Sequence, residues 1–310
     1  MRVIFMGTPD FSVGTLEAVL EAGHEVALVV TQPDRPKGRG NALQCSPVKE
    51  CALQHGLEVF QPDRIRREEH VRHLREYEPE IIIVVAFGQI LSEEILNMPK
   101  YGCVNVHASL LPKYRGASPI QWAVINGEAV TGVTTMRMDA GIDTGDIIAK
   151  REVAVAEDET GGSLFEKLAK EGAALCVETM EMLKSGTACF TPQDDGQSSH
   201  TAMISKELGD IDWNRPAEEI ERLVRGLNPW PSAYTYLDGR TFKIWKSRVL
   251  KEHENALAGT VLRADKNGIC VQTGAGQLLL LEVQMEGKKR MDAAAFCNGF
   301  HISPGTVLCS

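Results

Sequence analysis

Apolar and polar positions alternate in blocks along the first two-thirds of the chain. RVIFM, residues 2–6, is a short apolar run that ends in the glycine turn GTPDF. SVGTLEAVLEAG then places Val13, Leu16 and Leu20 on one stripe and stops at Gly23, the pattern of an amphipathic helix. EVALVV reads as a second strand. In SPVKECALQHG, Ser46 is the expected helix N-cap, Pro47 takes the first helical position and Gly56 is the stop. EIIIVVAF, residues 80–87, is apolar without alternation, as in a strand covered on both faces. GCVNVH is the next strand, and ASPIQWAVING repeats the Ser-Pro helix start at Ser118 and Pro119. This rhythm predicts an α/β fold: a Rossmann-like, mostly parallel sheet with helices on both sides.

The rhythm then changes. GVTTMRM and DIIAKREVAV read as two strands joined through DAGIDTG. A long helix follows, with Ser163 and Glu166 as a capping box and Gly186 as its stop. Residues 187–207 are polar without sustained periodicity and read as a linker. PAEEIERLVRGL is a short amphipathic helix. Beyond it the pattern is β: SAYTYL-DG-RTFKIW carries a type I′ hairpin signal. GTVLRADKNGICVQTGAGQLLLLEVQ supplies three more strands. About five short strands in this region predict a small β-barrel, OB-like. The expected organisation is a first domain over 1–186, a linker over 187–207 and an OB-like domain over 208–310.

Composition narrows the class. The 310 residues are 43% hydrophobic and 24% charged, in the range of globular proteins. The longest strongly apolar run, Ile81 to Phe87, falls short of the roughly 20 residues that a membrane helix needs. The start of the chain runs directly into a strand and lacks the features of a signal peptide, so a cytoplasmic protein is expected. Eight scattered cysteines form no C-x-x-C pair, so neither a disulfide frame nor a structural metal site is expected. Net charge is −9, but from Leu208 onward 13 basic and 12 acidic residues nearly balance, so the acidity lies in the first two-thirds. A local basic surface is compatible with that distribution.

Candidate chemistry collects at strand ends, where open α/β sheets bind ligands. GTPDF lacks G-x-G-x-x-G, and Pro9 removes an amide that a phosphate cradle would use. It reads as a tight strand-to-helix turn. In NVH, period two puts Asn105 and His107 on one face of a strand end. An amide and an imidazole side by side can donate to one oxygen, which is what acyl transfer needs as negative charge develops on a carbonyl. A hydrogen-bonded pair at a sheet rim is the alternative. DAGIDTGD offers a carboxylate on a glycine-flanked loop that can orient the histidine. Asp139, Asp143 and Asp146 all compete for that role on spacing alone. In QPDRPKGRG, Arg35, Lys37 and Arg39 fall on alternating positions of a Gly/Pro-rich loop, fit to reach RNA phosphates or simply to be solvated.

NVHASLLPKYRGASPIQWA together with DAGIDTGD resembles the folate-dependent formyltransferases. FMGTPDFS, TQPDRPKGRG, SPVK, IDW and NPWPSAY are similar to the members of that family that act on methionyl-tRNA, and the likeness runs in order along nearly the whole chain. The resemblance implies transfer of the formyl group of 10-formyltetrahydrofolate to the amino group of methionyl initiator tRNA, with no metal. It implies Asn105, His107 and Asp143 as the catalytic set and so selects Asp143 over its neighbours. It places the folate along Phe87, Gly88, Gln89, Ile90 and Leu91 and against Ser109, Leu110, Leu111 and Pro112, with Asp139 at the pterin pocket. It assigns Arg35, Lys37 and Arg39 to tRNA. Further phosphate contacts are expected from Arg240, Lys243, Lys246 and Arg248 and from GKKR at 287–290. Trp230, between two prolines, is expected as a core or interdomain plug rather than an RNA-stacking group. A monomer is expected. The rival expectations are a formyltransferase for another amine (a nucleotide or an amino sugar), a formyltetrahydrofolate hydrolase, a nicotinamide-dependent enzyme on the same sheet, and a non-enzymatic RNA-binding protein.

Overall fold

Runs of β-branched residues build the central sheet. The computed structural model describes residues 1–37, 42–252 and 254–309. In chain order the first elements are β1 (Arg2–Gly7), α1 (Asp10–Glu21), β2 (Glu25–Val30), the hairpin strands β3 (Arg35–Lys37) and β4 (Ala42–Gln44), α2 (Pro47–Gln54) and β5 (Val59–Phe60). There follow α3 (Glu68–Glu76), β6 (Ile81–Val85), α4 (Glu93–Leu96), β7 (Cys103–His107), β8 (Arg115–Gly116), α5 (Pro119–Ile125), β9 (Val130–Arg137), β10 (Ile147–Ala154), α6 (Gly161–Ser185) and β11 (His200–Thr201). The chain divides into two units. The first comprises residues 1–119, 130–154 and 165–201, the second residues 120–129, 155–164 and 202–310.

The first unit holds a seven-stranded sheet in the order β10-β9-β7-β6-β1-β2-β5. The five strands from β5 to β7 run parallel, and β9 and β10 extend the sheet antiparallel, as their joining loop predicts. All five residues of β6 are buried, which is the reason its sequence does not alternate. Each such aliphatic side chain contributes about 1.5–3 kcal/mol by leaving water. Ile4, Met6, Ile82 and Val84 share one core cluster with Val71 and Leu74 of α3. In α1 the buried stripe is Phe11, Thr15, Leu16 and Val19; Val13 and Leu20 are half-buried, so the expected stripe is rotated. Ser46 caps α2 as expected, accepting the Lys49 amide at 3.1 Å.

The strand order turns outward on both sides of β1 and β6. The carboxyl ends of such a pair leave a crevice. It is an open cleft of about 560 Å³, walled by Thr8–Asp10, Ala86–Gly88 and the root of the β3–β4 hairpin. GTPDF is the tight turn that its sequence indicates. A Cβ on Gly7 would lie 2.7 Å from Cβ of Ser12, so only glycine lets the start of α1 come this close to β1.

The second unit contains α7 (Ala217–Gly226), the strands β12 (Ala233–Leu237), β13 (Arg240–Leu250), β14 (Val261–Asp265), β15 (Gly268–Gln272), β16 (Gln277–Met285) and β17 (Met291–Asp292), and α8 (Ala293–Gly299). Asp238 and Gly239 both take positive φ, 52° and 70°, which is the type I′ turn read from DG. The antiparallel order is β12-β13-β16-β15-β14. The C-terminal segment joins its two edges: Tyr236 N–H donates to Cys309 O, Leu308 N–H to Gly259 O and Val261 N–H to Thr306 O. Inside lie Trp213, Ile220, Phe242, Ile244, Leu278, Leu280 and Phe296. Trp230 is 56% exposed, so it is not the core plug expected for it. The start of α6 also differs. The helix begins at Gly161, and Oγ1 of Thr160 accepts the Ser163 amide at 3.0 Å. Ser163 sits inside the first turn and donates its hydroxyl to Glu159.

Candidate active site

The site begins on β7. Asn105 pairs with Met136 and His107 with Thr134 of β9, so both polar side chains leave the same face of a central strand. The loop between β9 and β10 brings Asp143 to them. Oδ1 of Asp143 accepts from Nδ2 of Asn105 at 3.3 Å. Its Oδ2 lies 3.6 Å from Nδ1 of His107 and accepts the Gly116 amide at 2.8 Å. The side chains of His107 and Asp143 are only 8% and 14% exposed. Nε2 of His107 lies 2.9 Å from the carbonyl of Tyr114. A carbonyl only accepts, so Nε2 carries a proton. The imidazole is thus held from behind while Nδ1 faces the carboxylate.

Of the two competing aspartates, Asp139 is engaged within the loop by its side chain and Asp146 by its backbone carbonyl. Asp139 is exposed, and its Oδ1 accepts from Gly141 N–H at 3.0 Å and from the Thr144 hydroxyl at 2.7 Å. It shapes the loop that carries Asp143. The carbonyl of Asp146 accepts the Arg137 amide, which closes that loop on β9. Asp143 itself adopts φ 54°, a left-handed conformation that non-glycine residues seldom take.

SLLP is braced by β9. Thr134 donates its hydroxyl to Ser109 O at 2.6 Å, and Leu111 N–H donates to Thr134 Oγ1 at 3.2 Å. The Ser109 hydroxyl donates to Lys113 O at 2.7 Å. Leu111 is fully buried with Met136 and Ile147, whereas Leu110 and Pro112 remain half-buried. The residues after β6 divide in the same way. Phe87 and Leu91 are core residues, while Gly88 and Ile90 are exposed, Ile90 to 64%. The side chain of Gln89 is spent on the neighbouring loop, accepting Ile65 N–H at 2.7 Å and donating to Pro62 O at 3.0 Å. Ile142, on the Asp143 loop, is also 64% exposed. Ile90 and Ile142 are therefore exposed apolar surface.

The basic stretch is a hairpin whose root is tied down. Lys49 Nζ donates to Asp34 Oδ2 at 2.6 Å and to Gln61 Oε1 at 2.7 Å, and Gln61 Nε2 donates to Asp34 Oδ1 at 2.7 Å. Hydrogen bonds from Lys49 and Gln61 hold the Asp34 carboxyl below its ordinary pKa, and the Asp34 contact raises that of Lys49. Arg35 is exposed and lines the crevice at β1 and β6. Arg39 and the side chain of Lys37 lie outside the described residues. On α1 and α2, a carboxylate, a thiol and an imidazole from Glu17, Cys51 and His55 come within 4.8 Å of one another. Burial and then the Glu17 charge raise the Cys51 thiol pKa.

Residues 1–180 match the family Formyl transferase, and residues 203–301 match Formyl transferase, C-terminal domain. The chain belongs to the formyl transferase family. A methionyl-tRNA formyltransferase of Agathobacter rectalis is 66% identical over 306 residues, covering 99% of each chain. One of Lachnospira eligens is 54% identical over 313 residues, again 99% of each. Among solved structures, an N-formyltransferase from Helicobacter canadensis, in complex with folinic acid and dTDP-3-aminofucose, superposes with a TM-score of 0.66. The match covers 92% of this chain and 99% of that one at 19% identity, a likeness of fold. Formyl transferase membership speaks against the nicotinamide-dependent alternative, and it agrees with the absence of G-x-G-x-x-G.

The two family matches leave residues 181–202 between them, which overlap the stretch read as a linker. Part of that stretch belongs to the first unit and touches the site. Gln193 Nε2 donates to the carbonyls of Asp143 and Gly145 at 2.9 and 2.8 Å. Oγ of Ser199 accepts the Tyr114 amide at 2.8 Å. Sequence reasoning missed both residues. Their stretch has no periodicity, and their partners lie 50 and 85 positions away.

Proposed function

We propose that this protein transfers the formyl group of 10-formyltetrahydrofolate to the amino group of methionyl initiator tRNA, giving N-formylmethionyl-tRNA. The observation that carries this reading is end-to-end identity of 66% with a methionyl-tRNA formyltransferase. The Asn105, His107 and Asp143 grouping supports it with chemistry suited to acyl transfer.

In the proposed reaction the neutral amine of the aminoacyl group adds to the formyl carbon. Asn105 has a second amide hydrogen beyond the one directed at Asp143. His107 presents Nδ1 across a 3.6 Å gap, too long for a hydrogen bond to Asp143, so that nitrogen is not committed to the carboxylate and can meet an incoming oxygen. These two groups hold the oxyanion, and stabilisation of this kind is commonly worth about 10²–10³ in rate per donor. Asp143 faces the imidazole and keeps it oriented. Collapse of the adduct breaks the bond to the folate nitrogen, and the proton lost by the amine ends on that nitrogen. Asp143 is the group placed to relay it through water. Ile90, Leu110, Pro112 and Ile142 supply apolar surface for the folate, and the backbone at Gly88 to Leu91 supplies its polar partners. Arg35, with Lys37 and Arg39, meets phosphates of the tRNA, and the C-terminal unit adds contacts through its β13 cations. The protein acts as a monomer in the cytoplasm.

The test is incubation with labelled 10-formyltetrahydrofolate and charged methionyl-tRNA, followed by isolation of formyl-methionine. Transfer to a free amino nucleotide or amino sugar, with none to methionyl-tRNA, would overturn the acceptor. Release of formate in place of transfer would favour hydrolysis.

A further inference from the structure

We infer that the segment from Thr191 to Thr201, and Gln193 above all, is a positioning element of the reaction centre rather than a connector between domains. The inference rests on the formyl-transfer reading and assigns residues that lie between the two family matches.

Gln193 is half-buried, and its amide is used at both ends. Nε2 donates to Asp143 O and Gly145 O, and Oε1 accepts from Arg115 Nε at 3.0 Å. The partners fix the orientation of the amide, because a guanidinium only donates and carbonyls only accept. Arg115 is 3% exposed, with Nη2 2.8 Å from Asp195 of the same segment. The two carbonyls flank Thr144, so a single side chain clamps the turn that holds Asp143 at φ 54°. A backbone in that region reverts to a commoner conformation unless its surroundings hold it. Reversion would withdraw the carboxylate from Asn105 and His107.

The same segment reaches the other end of the triad. Ser199 Oγ accepts Tyr114 N–H, Ser199 O accepts Arg115 N–H at 2.8 Å, and Tyr114 O accepts from Nε2 of His107. Thr191 is paired with Ile147 of β10 in both directions, at 2.8 and 2.9 Å, which fixes where the segment starts. One stretch of chain thereby sets the carbonyl behind the imidazole and the carboxylate in front of it. Among standard side chains only an amide donates twice and accepts once in this geometry. Glutamate keeps the acceptor for Arg115 and loses both donors.

The experiment measures formyl transfer to methionyl-tRNA by Gln193→Ala and Gln193→Glu, each alone and in an Asp143→Ala background, with thermal melts of all variants. A misplaced catalytic group costs on the order of 100-fold, so the expected result is a fall in kcat of roughly 10- to 100-fold in both variants. KM for both substrates should stay within about threefold, and the fall should shrink to about twofold or less once Asp143 is gone. Wild-type kcat in the variants, an undiminished fall in the Asp143→Ala background, or unfolding of both variants would overturn the positioning role. If the unaltered protein fails to formylate methionyl-tRNA, the reaction is what has failed. If it succeeds and the variants match it, the positioning role has failed.

Discussion

Oδ2 of Asp143 stands 3.6 Å from Nδ1 of His107, facing the ring yet too far for a direct hydrogen bond. The carboxylate is held in that place by the Gly116 amide and the Asn105 side chain. His107→Ala and Asp143→Asn should therefore each lower kcat by about 10²–10⁴ and leave the melting transition nearly unchanged. Wild-type kcat in either variant would remove that residue from the reaction centre.

Gly116 is the second support of Asp143. Its φ is 96°, and a Cβ there would come within 2.8 Å of Thr201 O. Gly116→Ala is expected to cost about 1–3 kcal/mol of stability, read from denaturant midpoints. It should also lower kcat, because the displaced amide is the one that donates to Asp143. A stable variant with full activity would show that the amide contact is dispensable.

Arg35→Ala should raise KM for methionyl-tRNA several-fold and leave KM for the folate within about twofold, with a shallower dependence on salt. Arg39→Ala is expected to do the same. Lys49→Met should act indirectly by loosening the hairpin root. The Asp34 pKa is lowered in the fold, so its contribution is present above the ordinary carboxylate range and is lost as pH falls. The Lys49 pKa is raised, so its contribution is present below the ordinary lysine range and is lost at higher pH. The difference in melting temperature between wild type and Lys49→Met should accordingly be full near neutrality and shrink in strong acid. A difference independent of pH would rule out the ion pair as its source.

Ile142→Ser removes apolar surface that is 64% exposed, so the fold should tolerate it. If the pterin rests there, KM for the folate should rise roughly tenfold, the worth of part of one buried aliphatic side chain. An unchanged folate KM would move the pterin elsewhere.

How much of this was legible depended on how local each signal was. Asn105 and His107 could be read because period two within one strand fixes their common face. The Ser46 cap and the Asp238–Gly239 turn could be read because each is settled by a few adjacent residues. Asp143 could not be separated from Asp139 and Asp146 by spacing, since all three suit a turn. Only the tertiary contacts show that Asp139 folds the loop and Asp143 leaves it. The α6 cap falls on Thr160 and not on Ser163, a choice between two hydroxyls that can each cap. Gln193 was out of reach altogether. A lone glutamine in a polar stretch carries no mark of the backbone it will hold 50 positions earlier.

Residues 306–309 bridge β12 and β14. Those strands are the two ends of an otherwise open sheet. Without these four residues, two rows of amide and carbonyl groups would face solvent side by side with a large apolar interior. Unpaired rows of that kind template strand addition from a neighbouring molecule. The tail therefore guards solubility as well as stability, and chains shortened by five residues should sediment as growing aggregates rather than as a softened monomer.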